Sequence, residues 1–172
     1  MTLKEQVESS LHSIVTDEIR IIITDGIRRG LDIHQAGLQE DRERLGFYAK
    51  NQHTRDIFSS FCRGLELSIH ESPNLLLTST QCQVTSSYFI EITNPNLIIH
   101  VYNEASAFPN YMKEKCKLNT TFQDGKQNYC AISYCGQNGN VISSVDIVVF
   151  DVDGKEIHRE RLHSTLVDLM VA

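Results

Sequence analysis

The chain has 172 residues, 41% hydrophobic and 22% charged, a composition typical of a globular domain and unlike that of a disordered or fibrous chain. Its net charge of -6 disfavours binding to the phosphate backbone of nucleic acids. The length predicts a single domain, residues 1–172, with one sizeable hydrophobic core.

The sequence carries no pattern typical of export or of a membrane protein. Its first residues lack an apolar core behind a basic cluster, and no apolar run approaches the ~20 residues of a membrane-spanning helix. The five cysteines are odd in number and include no CxxC pair, which favours a reducing compartment over a disulfide framework or a zinc site. We therefore expect a cytoplasmic protein without membrane contact and without a cofactor.

The first third of the chain has the pattern of helices. A helix is predicted from Thr2, because apolar residues recur at helical spacing behind a Thr2/Glu5 pair that matches a capping box. Isoleucines continue a helical stripe through residues 19–27, and Gly26 and Gly30 are predicted to break it.

Two more helical segments are predicted before the sheet. Residues 35–50 are rich in charge, with Leu38 and Leu45 seven apart, which is typical of a solvated helix with a narrow buried stripe. A last helix is predicted to begin at a cap on Thr54 and to end close to Gly64.

After Pro73 the pattern changes to short runs of β-branched and aromatic residues, separated by Asn, Pro and Gly. Connections such as Asn138-Gly139 are too short for helical crossovers, which predicts that neighbouring strands pair antiparallel in a meander. The longer interruption, residues 103–128, is predicted to hold a short helix before a polar loop, a place where function often resides.

Helices followed by strands, without alternation, predict an α+β fold. About three N-terminal helices, within residues 1–70, are expected on one face of a mainly antiparallel, meander-like sheet of five to seven strands within residues 73–172. The run from Ile147 to Phe150 is apolar at every position, which indicates a central strand or a partner that covers its second face.

The segment 147–155 has two interpretations. Four apolar residues that run into Asp151-Val152-Asp153 resemble the first motif of the haloacid dehalogenase superfamily. The resemblance implies that Asp151 is a nucleophile that coordinates Mg²⁺ and that Asp153 belongs to the same site. It covers this segment alone, Lys155 stands where that family usually has Thr or Val, and the motif normally lies near the N-terminus.

A β-hairpin is the interpretation we favour for this segment. A three-residue loop at residues 152–154, with its glycine in the left-handed region, places Asp151 opposite Lys155 and Val149 opposite Ile157. These are an opposite-charge pair and an apolar pair, both of which stabilise a pair of strands.

Three functions remain open. The leading hypothesis is a small soluble binding or regulatory protein that acts through protein contacts, as an inhibitor or antitoxin does. We lean against an enzyme because esterase, P-loop and dinucleotide-binding motifs are missing. Besides a metal-dependent enzyme, another alternative is a small-molecule-binding domain with a pocket between helices and sheet.

The second hypothesis is a metal-dependent hydrolase or nuclease-like enzyme that uses strand-end carboxylates as metal ligands and Lys155 as a charge stabiliser. Asp146, on the predicted strand before the hairpin, has an alternative role in an ion pair with Arg159 or Arg161. The candidate ligands are Glu91, Asp146, Asp151 and Asp153.

The C-terminal residues are the predicted surface for a partner. Apolar side chains continue to the end of the chain, which is unusual for a segment left in water. Such a segment can add a strand to its own sheet or dock in a second chain. The residues expected to bind a protein partner or a second copy are Leu166, Val167, Leu169, Met170 and Val171.

Overall fold

The computed structural model of the protein describes residues 1–46, 57–85, 87–137 and 141–162. The helices of this part are α1 (Leu3–Ile14), α2 (Asp17–Leu45), α3 (Ile57–His70) and α4 (Asn110–Lys117). A 3-10 turn at Pro73–Leu75 follows α3. The strands are β1 (Thr78–Val84), β2 (Ser87–Asn94), β3 (Leu97–Asn103), β4 (Asn128–Gln137), β5 (Val141–Phe150) and β6 (Glu156–Arg161). Three N-terminal helices followed by six strands confirm the predicted α+β class and strand number.

The six strands form one sheet in sequence order, β1 to β6. Neighbouring strands pair antiparallel, as predicted, except that β3 and β4 run parallel. A parallel pair needs a crossover of a dozen or more residues, and the segment between β3 and β4, which contains α4, is long enough to supply one. The expected meander is therefore interrupted once, at the predicted 103–128 segment.

Helices cover both faces of the sheet. On one face, which we call the α1–α3 face, Phe61 and Leu65 of α3 join one core with Ile99, Ile132 and Ile147. Apolar side chains of three helices thus cover this face, as predicted. The predicted capping box at the start of α1 is confirmed, and a bidentate ion pair joins Arg20, in the first turn of α2, to Glu160 of β6.

The other face, which we call the α4 face, has a smaller core. Met112 and Cys116 of α4 are fully buried against Tyr129, Val148 and Phe150. The apolar run of β5 is explained by this arrangement, because alternate side chains of one strand enter two different cores. β5 is therefore an inner strand of the sheet, one of the two predicted alternatives, and α4 covers its second face.

Helix α2 is continuous through both glycines that were predicted to break it. It also includes most of the charged segment that was predicted as a separate helix. Gly26 and Gly30 instead form the contact with α3, where a Cβ built on Gly64 would lie 2.2 Å from the Gly26 oxygen and 2.4 Å from the Gly30 nitrogen. Gly64 lies within α3 and not at its end, and Thr54 lies outside the described residues.

The hairpin between β5 and β6 has the predicted three-residue loop. The Asp151 amide donates to the Lys155 oxygen over 2.8 Å, and Gly154 has a φ of +80°. The predicted pairing of Val149 with Ile157 is wrong, because the register shifts beyond Phe150 and pairs Val149 with His158. The local turn was thus predictable, whereas the β-bulge that follows it was not.

Gly154→Ala is expected to lower the free energy of unfolding by about 1 kcal/mol, because alanine is strained at positive φ. A Cβ there would have space, since its nearest neighbour is a Phe108 ring carbon at 3.5 Å. Urea denaturation measures the loss. Gly154→Asn is the matched control, because asparagine tolerates the left-handed region and should lose less. Equal stability of all three proteins would contradict a strained turn.

Candidate functional site

The four candidate carboxylates lie in three separate places. Glu91 is on β2 and Asp146 is on β5, three strand spacings away, which corresponds to about 14 Å. Asp151 and Asp153 belong to the loop after β5. No cluster of three or more His, Cys, Asp or Glu side chains suited to a metal ion occurs within the described ranges. The described geometry thus does not bring the proposed metal ligands together.

Asp146 is bound by the arginines that sequence analysis named as alternatives. Its carboxylate is buried, and it accepts hydrogen bonds from Arg159 at 2.7 Å and from Arg161 at 3.3 Å. Burial acts to lower the pKa of Arg159, but hydrogen bonds with Glu156, Asp146 and Glu104 outweigh it and raise that pKa above its usual value. Two guanidinium groups therefore already compensate the charge of Asp146.

Asp151 has a structural role in the hairpin. Its Oδ1 atom accepts hydrogen bonds from the backbone amides of Asp153 and Lys155, each over 2.9 Å. Such bonds from an aspartate to the backbone ahead of it are typical of turns. The hairpin interpretation of the segment thus accounts for one of the two aspartates in its Asp-x-Asp pattern.

Glu91 belongs to a partly buried polar cluster on the α4 face that sequence analysis did not find. His100, on β3, has 1% of its surface exposed and places Nε2 2.9 Å from a Glu91 oxygen and Nδ1 3.0 Å from the Tyr129 hydroxyl. Lys115 of α4 lies 3.7 Å from the same Glu91 oxygen. The cluster therefore connects three strands of the sheet and the helix that covers them.

The hydrogen bonds fix the tautomer of the neutral His100 ring. A carboxylate can only accept, so Nε2 carries the proton that is donated to Glu91, and Nδ1 of the neutral ring accepts from Tyr129. Burial lowers the pKa of His100, although Glu91 opposes this effect, and burial raises the pKa of Tyr129. Since both ring nitrogens are bonded and the ring is enclosed, His100 is not exposed as a general base.

The cysteines nearest to this cluster are not activated as nucleophiles. Burial raises the pKa of Cys116 to about 11 and that of Cys130 to about 12. Burial, together with the charge of Glu91, also raises the pKa of Cys82. A reactive cysteine needs a lowered pKa, so these thiols act as small apolar side chains at neutral pH.

A concave site lies at the end of the sheet where β3 stops and β2 begins. It is a groove of about 790 Å³ between the first turn of α3 and the segment that leads from β3 into α4. We call it the aromatic groove, because its aromatic lining side chains are Phe58, Tyr88, Tyr102, Phe108, Tyr111 and Tyr134. More than half of its lining residues come from the 103–128 segment, which sequence analysis had named as a place for function.

The remaining lining side chains of the aromatic groove are mostly small and polar. Among the lining residues that the structure describes, Lys113 is the one charged residue. The polar uncharged ones are Ser59, Ser87, Asn103, Ser106 and Asn110. The groove can therefore offer apolar area, hydrogen bonds and one positive charge.

The walls of the aromatic groove are held by ring packing. Tyr111 stacks on Phe89 with the two rings parallel and their centres 3.8 Å apart, and both rings meet His100 edge to face. Tyr102 and Phe108 also meet edge to face, 5.7 Å apart. The buried His100 cluster thus supports one wall of the groove from beneath.

Comparison with known proteins gives no relative from which a function follows, since no family model, curated protein or solved structure matches the chain. Within the described part, no helix has the length and apolarity to cross a membrane. The C-terminal residues predicted to bind a partner, Leu166 to Val171, lie outside the described residues.

Proposed function

We propose that this is a regulatory binding protein that acts through protein contacts, and that the aromatic groove holds a segment of its partner. The observation that carries the proposal is the lining of the groove, in which aromatic rings alternate with uncharged polar side chains. A groove of this size is in the range that binds one ligand or a few side chains of a peptide.

The composition of the aromatic groove favours a protein segment as its occupant. Tyrosine, serine and asparagine dominate the binding loops of antibodies, since tyrosine gives a large contact area at low entropic cost and the small polar residues adapt their hydrogen bonds. The same three residue types form most of this lining. Tyr88 is 70% exposed, so a partner that covers its ring would bury apolar area that is now in water.

Charge favours an acidic segment. The chain has a net charge of -6, yet Lys113 contributes a positive charge at the aromatic groove and is exposed. A carboxylate on the partner would meet this ammonium group at the rim, where charge mainly governs the rate of association and the choice of partner. We therefore expect a segment that combines aromatic or aliphatic residues with at least one acidic residue.

The walls of the aromatic groove are preformed in the absence of a partner. The stacked pair of Phe89 and Tyr111 and the edge-to-face pair of Tyr102 and Phe108 fix two of its walls. Preformed walls reduce the entropy that is lost on binding. By contrast, the hydrolase hypothesis has no comparable support, because the described carboxylates are separated and Asp146 is bound by arginines.

Selection from a displayed library of random peptides tests the proposal. Peptides that combine acidic and aromatic residues should be enriched on the immobilised full chain. Fluorescence anisotropy of labelled copies should then show that Tyr88→Ala and Lys113→Glu each weaken binding by about tenfold or more. Lys126→Glu is the control, because Lys126 is exposed, lies outside the lining of the groove and undergoes the same change of charge.

Two outcomes would overturn the proposal. The first is enrichment of peptides that bind the wild type, Tyr88→Ala and Lys113→Glu equally. The second is an absence of enriched peptides while small aromatic acids shift the NMR signals of groove residues, which would make the groove a small-molecule site.

A further inference from the structure

The outer edge of β1 is a surface that the proposed function does not use. β1 pairs with β2 on one side, and no described strand pairs with its other side. Its seven residues, Thr-Ser-Thr-Gln-Cys-Gln-Val, carry no charge and no proline, and five of them are exposed. Proteins usually protect a free edge with charge, proline or a bulge. β1 pairs with β2 without a register shift, so it contains no bulge. The strand β1 therefore has none of these three protections.

The composition of β6 makes the contrast clear. Its sequence Glu-Ile-His-Arg-Glu-Arg places four charged residues among six. That pattern opposes the addition of another strand, whereas the pattern of β1 permits it. An uncharged strand also favours self-pairing, because no pair of like charges on the two strands can then face each other across the contact.

The hairpin register identifies the free backbone groups of β1. Val84 and Ser87 are paired across a two-residue connection, and Thr85 has the positive φ that such a tight turn uses. The pair that closes a two-residue turn exchanges hydrogen bonds, and the bonded positions then alternate along the strand. The residues whose N–H and C=O groups face outward are therefore Ser79, Gln81 and Gln83.

We propose that the β1 edges of two copies of this chain pair antiparallel around a twofold axis at Gln81. In this register Gln81 faces Gln81 of the second copy, and Ser79 faces Gln83 of the second copy on either side. All three outward-facing residues find partners, which gives about six hydrogen bonds. A shift by two residues in either direction would leave outward-facing groups unpaired, so the strand length itself selects this register.

The surroundings of the axis are compatible with a second copy. The side-chain amide of Gln81 donates a hydrogen bond to the Glu66 carboxylate over 2.8 Å, and Glu66 is also paired with Arg63. On the α4 face, Glu91 is near Lys115. The charges closest to the edge are thus already compensated within each copy, which reduces their repulsion across the axis.

Exposed apolar residues lie at both ends of the same edge. Leu76, just before β1, is 74% exposed, and Val84, at its end, is 45% exposed. Antiparallel pairing brings Leu76 of one copy toward Val84 of the other, twice in the symmetric dimer. A groove of about 700 Å³ beside α3 and the start of β1 leaves room for side chains of the second copy. The contact is small, so we expect a dissociation constant in the micromolar range, about 1 to 100 μM.

Disulfide trapping tests the contact and its register together. In the proposed dimer Thr80 faces Cys82 of the second copy at a non-hydrogen-bonded position, where Cα atoms lie about 4.5 Å apart. Thr80→Cys should therefore form a covalent dimer on mild oxidation, and mass spectrometry should identify the bond between the introduced cysteine and Cys82. Thr78→Cys is the matched control, because its position faces Val84 and should not form this bond. Crosslinking of Thr78→Cys instead of Thr80→Cys would overturn the register.

Sedimentation provides a second measurement that does not depend on a crosslink. The full chain should be mainly dimeric at about 200 μM, and Gln81→Pro should weaken the dimer at least tenfold. This variant removes an N–H group that points away from β2, so circular dichroism should show an intact monomer. A wild type that stays monomeric at this concentration, with no crosslink in Thr80→Cys, would overturn the proposal. The aromatic groove is separate from this test, since peptide binding does not require the dimer.

Discussion

Replacing Gly64 with alanine is expected to lower the free energy of unfolding by about 2 kcal/mol, measured by urea denaturation. The added Cβ would lie 2.2 Å from the Gly26 oxygen and within 2.8 Å of two Gly30 backbone atoms. Backbone atoms cannot rotate away as a side chain can, so α2 and α3 would have to separate. Separation would loosen Phe61 and Leu65, both of which are fully buried.

Helix propensity works against this loss and does not cancel it. Alanine is favoured over glycine inside a helix by about 1 kcal/mol, whereas overpacking of a tight core costs about 1 to 3 kcal/mol or more. Gln35→Ala, an exposed substitution in α2, is the control and should change the stability by less than about 0.5 kcal/mol. If Gly64→Ala is as stable as this control, the close crossing of α2 and α3 is wrong.

The glycines of this crossing show what the sequence pattern could not provide. Gly26 and Gly30 were predicted as breaks because glycine lowers local helix propensity. In the fold they allow α2 and α3 to pack closely. Each glycine lies opposite a residue of α3 that is more than thirty positions later in the chain. The isoleucine stripe that runs through them was the better indicator, and it correctly predicted helix.

The sheet was predictable where its connections are short. Tight turns correctly predicted antiparallel neighbours, and the three-residue loop before β6 was derived from charge and glycine position. The parallel pair of β3 and β4 was not predicted, because the tight turns elsewhere in the sheet favour antiparallel neighbours. The length of the 103–128 segment was the available signal, since it exceeds what a hairpin needs and suffices for a crossover.

The aromatic groove was only partly accessible to sequence analysis. The 103–128 segment was named as a place for function because of its length, and it contributes Phe108, Pro109 and Tyr111 to the lining. The aromatic groove is also lined by Phe58 of α3 and Tyr88 of β2. These two residues share no sequence pattern with that segment. His100 was missed for a related reason, because its partners Glu91 and Tyr129 are on other strands.

Acidification is expected to destabilise the wild type through His100. Burial holds the pKa of this side chain below 6.5, the value that applies in the unfolded chain. Between these two pKa values the unfolded state binds more protons, so the free energy of unfolding falls as the pH falls. The contribution of His100 is fully present above pH 6.5, and it is lost below that pH with a slope of up to about 1.4 kcal/mol per pH unit.

His100→Gln isolates this effect, because its amide can still donate to Glu91 but does not titrate in this range. The variant should lose less stability than the wild type between about pH 7.5 and pH 5, since every other titrating group is common to both proteins. Denaturant titrations at the two pH values measure the difference. Equal losses in the two proteins would contradict a buried neutral imidazole.

Glu91→Gln separates the effect of the Glu91 charge on the pKa of His100 from the effect of burial. Glu91 raises the pKa of the imidazole against the larger effect of burial, and Lys115 and burial lower it. Removal of the carboxylate charge should therefore lower the pKa of His100 further and extend the pH range over which stability is lost. Since His100 supports the stacked wall of Phe89 and Tyr111, peptide binding in the aromatic groove should weaken only where His100 of the folded wild type becomes protonated, at its lowered pKa and below, and not in His100→Gln.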